Sequence, residues 1–184
     1  MVTPRMRQQP TGGMPWAADN GRFNSPHEYS DEKYLAWLVK MEPHRDRCLF
    51  ATAPDVVGDA AATLEMSAPM LPRIRALGYP VAFVAQDGLE SLPVPWDDFD
   101  ALFIGGTTYW KLSEHVVVLV KEARRRGKHV HMGRVNSLQR TIYAESIGCD
   151  SVDGTKLRFD PNARPDKWAE HVNANPSIWG LVDS

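Results

Sequence analysis

A chain of 184 residues, 43% hydrophobic and 24% charged, has the length and composition of one soluble domain with a real core, and no apolar run approaches the 18 or so residues of a membrane span. A net charge of −2 and a pI near 6.3 exclude a large uniformly basic surface, so any polyanion would have to bind a local basic patch. The only cysteines, Cys48 and Cys149, exclude a disulfide framework and a cysteine-rich zinc site.

Residues 1–14 are polar, rich in Pro, Gln and Gly, and contain no signal-peptide core. They read as a flexible lead-in to one catalytic domain over 15–184, with a cytoplasmic location expected. The first apolar run, Pro15–Ala18, is a strand, and Asp31–Glu42 is a helix with Tyr34, Leu38 and Met41 on one stripe. Strands follow at Cys48–Ala53 and Pro80–Ala85, separated by a helical stretch, Gly58–Leu77, that Pro69 and Pro72 interrupt. Gly88–Asp100, with Pro93 and Pro95, is a loop holding at most one helical turn. Ala101–Ile104 is the next strand. Glu114–Arg126 is a helix between the N-cap Ser113 and Gly127. His129–Met132 is a strand. Leu138–Ile147 is a helix between Ser137 and Gly148, with Leu138 and Ile142 facing inward. Cys149–Val152 is the sixth strand, and the tail from Lys156 is mostly irregular with a short helix near Pro165–His171. Strand–helix alternation implies parallel strands joined by right-handed crossovers. A complete eight-stranded barrel takes about 250 residues. The expected fold is therefore α/β, a trimmed or partly open TIM-type (β/α) barrel, whose uncovered strand edge a homodimer would protect.

The chemistry lies just past the strand ends. The runs finish at Asp19-Asn20-Gly21, Asp55, Gln86-Asp87-Gly88, Gly105-Gly106-Thr107, Met132-Gly133-Arg134 and Asp153-Gly154-Thr155. Asp and Gly make good turns in any fold, but in α/β folds this edge is where ligands bind, and six such ends together favour a site. Asp19 and Asp153 can divide nucleophilic and acid/base work, as displacement at a sugar carbon requires.

These residues carry a family resemblance. Trp16-Ala-Ala-Asp-Asn-Gly-Arg-Phe23 resembles the Asp-Ser-Gly-Gly-Phe segment of the tRNA-guanine transglycosylase superfamily, and Gly148-Cys-Asp-Ser-Val-Asp153 resembles its Gly-x-Asp-x-x-Asp segment. Phe83-Val-Ala-Gln86-Asp-Gly88 is similar to its Val-Gln-Gly-Gly segment, Ile104-Gly-Gly-Thr107 to its glycine pair, and Met132-Gly133 to its Met-Gly pair. The resemblance runs from Trp16 to Thr155 and is nearest to the short DNA-acting branch of phages and actinobacteria. It implies Asp153 as nucleophile and Asp19 as general acid/base. It also implies Asp55 and Gln86 as base readers, Gly105 and Gly106 as backbone N–H donors to the base carbonyl, and Met132 and Gly133 beside the base. The implied partners are a 7-deazaguanine such as 7-cyano-7-deazaguanine, and DNA in preference to tRNA. The tRNA enzymes' zinc site of three cysteines and a histidine has no counterpart, because Cys149 is the last cysteine, so no cofactor or metal is expected. Against this resemblance the N-terminal extension ahead of Asp19 is nearly absent, and no appended RNA-binding domain is expected. Two other readings use the same residues: a deazaguanine-binding module without catalysis, and an unrelated barrel glycosidase or phosphosugar enzyme.

Arg134, Lys156 and Arg158 follow strands on this edge and are the candidate phosphate contacts. The denser cluster of Lys121, Arg124, Arg125, Arg126 and Lys128 reads as a solvated helix end. His129 and His131, two apart on a strand, share a face and read as packed or hydrogen-bonded side chains. Trp16, Trp37 and Phe23 read as core, while Trp110 suits either packing or base stacking.

Overall fold

The computed structural model describes residues 1–6, 9–10, 13–23, 25–154 and 179–181. Strands form at the apolar runs: β1 Trp16–Ala18, β2 Cys48–Thr52, β3 Val81–Ala85, β4 Ala101–Ile104, β5 His129–Met132 and β6 Ser151–Asp153. Between them lie α1 Asp31–Lys40, α2 Ala60–Ser67, α3 Met70–Ala76, α4 Thr108–Lys111, α5 Glu114–Arg125 and α6 Leu138–Ile147. Local chemistry sets these bounds. Ser30 caps α1 by accepting from the Lys33 N–H, and Ser137 caps α6 by accepting from that of Arg140. Gly148, at φ 101°, closes α6 in a left-handed conformation that disfavours a side chain. Pro69 separates α2 from α3. β6 starts at Ser151, two residues later than the apolar run suggests, because the Cys149 N–H is bonded to the Ala144 carbonyl of the α6 cap at 2.9 Å.

Some expectations give way to tertiary context. Ile142 on α6 is 44% exposed, and Thr141 and Ala144 take the buried face. The chain tail supplies a strand, β7 Trp179–Leu181, paired in parallel with β6 through Ser151↔Trp179 and Asp153↔Leu181. The helix expected near Pro165–His171 lies outside the described residues. The amino-terminal stretch that composition marks as flexible is tied down at Val2, which bridges Ala18 on the edge of β1.

The strands stand in the order β1-β2-β3-β4-β5-β6-β7, every pair parallel. Sequential order with right-handed crossovers puts the helices on one side of the sheet, so the other face is sheltered only by curling on itself. The strands from β1 to β6 do this, forming a half-barrel, the architecture of a partly open TIM-type barrel. The larger core lies between sheet and helices, with Phe83, Leu102, Ile104 and Val130 packed against Leu71, Ile74, Val116 and Val120. A smaller cluster of Ala17, Phe50, Ala82 and Ala101, with Phe103 against it, fills the concave face. Among the described residues no helix is long and apolar enough to cross a membrane.

Candidate active site

A cavity of about 470 Å³, in the range that takes a small ligand, opens at the carboxyl ends of the strands. Asp19, Asp55, Gln86, Gly105, Arg134 and Asp153 all line it, together with Asn20, Thr52, Val84, Phe103 and Phe23. Residues scattered over 135 positions meet here because Asp19, Asp55, Gln86, Gly105 and Arg134 stand within three residues past the ends of parallel strands and Asp153 is the last residue of β6.

The two carboxylates of the proposed pair have opposite environments. Asp19 turns back on its own loop, Oδ1 accepting the Gly21 N–H at 2.8 Å. Asn20 anchors that loop to β2 by donating to Thr52 Oγ1 and to the Ala53 carbonyl at 3.0 Å. Burial, with Asp153 and Asp55 nearby, pushes the Asp19 carboxyl up to about 6. Burial would raise Asp153 too, but that effect is outweighed. His131 Nε2 lies 3.1 Å from Oδ2 and the Arg134 backbone N–H donates to Oδ1 at 2.7 Å, and these contacts hold the carboxyl below the usual carboxylate value. One group is thus prepared to hold a proton and the other to stay ionised.

Gln86 acts as a keystone. Its Oε1 accepts the N–H groups of Gly58 at 2.9 Å and Gly106 at 2.8 Å, and its Nε2 donates to Asp55 Oδ2 at 2.6 Å. One amide N–H remains for a ligand, and the main effect of Gln86 is to aim Asp55, whose carboxyl burial raises. Gly105 makes room for this arrangement: a Cβ there would stand 2.7 Å from Gln86 Nε2 and 2.8 Å from Val84 Cγ1. Gly105→Ala is expected to lower stability by about 1–3 kcal/mol through overpacking, measurable by thermal melts.

Three assignments are corrected. The Gly105 N–H is bonded to the Ala85 carbonyl at 2.9 Å and the Gly106 N–H to Gln86, so neither faces the cavity as a free donor. Met132 points to the helix side of β5, 2% exposed in the larger core, because alternation along the strand gives the cavity side to its neighbours. Gly133 does stand beside the site. A Cβ there would meet the Phe103 ring at 2.6 Å and lie 3.7 Å from Asp153 Oδ2.

Arg134 adopts φ 55°, the only positive φ of a non-glycine among the described residues. This left-handed turn lets its N–H reach Asp153 while its guanidinium donates to the Gly106 carbonyl at 2.6 Å and sits 5.0 Å over the Phe23 ring. Phe23, read from sequence as core, is 55% exposed at the cavity wall. Lys156 and Arg158 lie outside the described residues. Trp110 is packed, its Nε1 donating to Glu90 at 2.8 Å. The basic run at the end of α5 is engaged locally, with Arg125 and Arg126 on Glu122 and Arg124 on Asp150.

Sequence reasoning missed Lys111. It is 4% exposed, its Nζ donates to the Gly133 carbonyl at 2.6 Å, and burial lowers its amine to about 8. The four-residue helix α4 that carries it is too short to leave a periodic signal. His129 and His131 are hydrogen-bonded, as their spacing suggests, but to Ser151, which the sequence reading did not single out. Among the described residues no group of three or more His, Cys, Asp or Glu is arranged to hold a metal ion, and two cysteines cannot furnish a three-cysteine zinc site. No family model matches the chain, and neither does any curated protein.

Proposed function

We propose that the chain is a base-exchange transglycosylase of the guanine type, which replaces guanine in nucleic acid, DNA in preference to tRNA, with a 7-deazaguanine such as 7-cyano-7-deazaguanine. The observation that carries this reading is the split of two carboxylates lining one cavity, Asp19 held up to about 6 and Asp153 held low. Asp153 attacks C1′ as the carboxylate. The C1′–N9 bond breaks, its electron pair leaves with guanine, and Asp19, or a water it orients, gives guanine a proton. The sugar is then an ester of Asp153. The incoming 7-deazaguanine gives its N9 proton to Asp19, attacks C1′ and releases Asp153, so two inversions retain configuration. A 7-deaza product lacks the N7 that accepts a proton during departure, which favours exchange in one direction.

The wall suits a guanine edge. Asp55, aimed by Gln86, can accept from N1–H and the exocyclic amine, and the remaining Gln86 N–H and the Arg134 guanidinium can donate to O6. These take the place of the glycine N–H groups. The target nucleotide must leave its stack to enter. No step draws on a cofactor.

The covalent ester is the testable intermediate. Incubation with a guanine-containing oligodeoxynucleotide, followed by denaturation and peptide mass spectrometry, is expected to find the sugar on Asp153. Tight purine binding with no adduct on DNA or tRNA would instead identify a binding module.

A further inference from the structure

Behind Asp153, on the concave face, three polar side chains form a line. β5 and β6 run in register with His131 opposite Ser151, so alternate residues of both strands share that face. His129 Nε2 is 2.8 Å from Ser151 Oγ, His131 Nδ1 is 2.7 Å from the same oxygen, and His131 Nε2 is 3.1 Å from Asp153 Oδ2. His131 and Ser151 have no exposure, and His131 is flanked by Phe50 and Phe103 with ring centroids at 5.1 and 4.7 Å. His129 is only partly buried, at the far end of the half-barrel.

A hydroxyl has one proton and two lone pairs, so Ser151 can donate to only one of the two imidazoles. With Asp153 ionised, His131 must present Nε2–H to it. A neutral His131 then has a bare Nδ1, which takes the Ser151 proton, and Ser151 in turn accepts from His129 Nε2–H. We propose that His129, Ser151 and His131 form a one-directional line of hydrogen bonds that holds Asp153 as an aimed carboxylate, with His131 as the positioning residue. The nucleophile half of this inference rests on the base-exchange reading, whereas the line itself does not.

Other charges face the ends of the line. Asp153 also feels the Arg134 N–H, Lys111, Asp19 and the Met1 amino group, and His129 feels Asp150, while burial lowers the His129 imidazole and favours its neutral form. None of these offers a second partner to Ser151.

Imidazole ¹⁵N spectra of the full chain near pH 8 test the line. Wild type is expected to show Nε2–H on both histidines. In Asp153→Asn, the amide oxygen remains on the Arg134 N–H and the amide NH₂ faces His131. The whole line should therefore reverse, moving both histidines to Nδ1–H. In the double variant with Ser151→Ala, His129 should no longer respond. Unchanged His129 in Asp153→Asn, or Nδ1–H on His131 in wild type, would overturn the line. The aiming role is read from the carboxyl ¹³C titration and the acid limb of exchange. His131→Phe should move both up by about 1 pH unit or more, and His131→Gln, which keeps one N–H on Oδ2, should restore most of the loss. Ser151→Ala, which disturbs packing less, should shift them in the same direction. An unmoved carboxyl in Ser151→Ala and His131→Phe alike, with the line intact in wild type, would sink the aiming role. Absence of exchange in wild type would fall on the base-exchange reading, leaving the spectra to decide the line.

Discussion

Asp153→Asn is expected to lower base exchange by about 10⁴-fold or more and to abolish the covalent adduct, with the fold retained. An amide is a poor nucleophile toward C1′, and the other two carboxylates lining the cavity, Asp19 and Asp55, serve as acid/base and base reader in this mechanism. The amide oxygen can still accept the Arg134 N–H that Oδ1 accepts at 2.7 Å and the amide NH₂ can face His131, so the fold should be kept, with a modest loss of stability from the carboxylate's contacts. The comparison to make is single-turnover guanine release alongside a thermal melt. Wild-type release by Asp153→Asn would remove Asp153 from the mechanism.

Asp19→Asn carries the second large effect, and it has two signs. Exchange should fall by about 10²–10⁴-fold with loss of the acid/base. Stability should rise, but only at higher pH. Burial holds the Asp19 carboxyl up to about 6 against an ordinary 3.8, so between those values the folded chain keeps a proton that the unfolded chain has released. Folding stability therefore falls as pH rises through that window. The full shift corresponds to roughly 3 kcal/mol at most. Asn removes the ionisation and keeps an oxygen for the Gly21 N–H. Variant and wild type should melt together near pH 4, diverge between pH 4 and 6, and keep the full difference above pH 6, the variant being higher. Wild-type kcat/KM should also decline about tenfold per pH unit above that value, as the acid form is lost. Equal melting at pH 8 would contradict the burial assigned to Asp19.

The sequence made the site legible to the extent that strand ends did. In a parallel sheet the residue just past each strand falls on one edge. Asp19, Asp55, Gln86, Gly105, Arg134 and Asp153 therefore declared themselves through short apolar runs that stop at polar or glycine residues. The phase of a strand was not legible. β5 is His-Val-His-Met, and which alternate pair faces the cavity depends on its register with β6, which puts His131 inside and Met132 outside. Hydrogen-bond destinations were hidden for the same reason. The glycine N–H groups looked free until Gln86 and Ala85 were found to accept them. Pairings between distant segments, Val2 on β1 and β7 on β6, leave no local pattern at all. Phe23 looked like core because it is aromatic, and only the fold puts it at the mouth beneath Arg134.

The most direct measurement is transfer of labelled 7-cyano-7-deazaguanine into polymer. The protein is incubated with the labelled base and, separately, with duplex DNA, single-stranded DNA and tRNA, and the label retained after digestion to nucleosides is counted. Base exchange predicts retention as a 7-deazaguanine deoxynucleoside, matched mole for mole by released guanine and absent with Asp153→Asn. No retained label and no released guanine with any of the three polymers would contradict it.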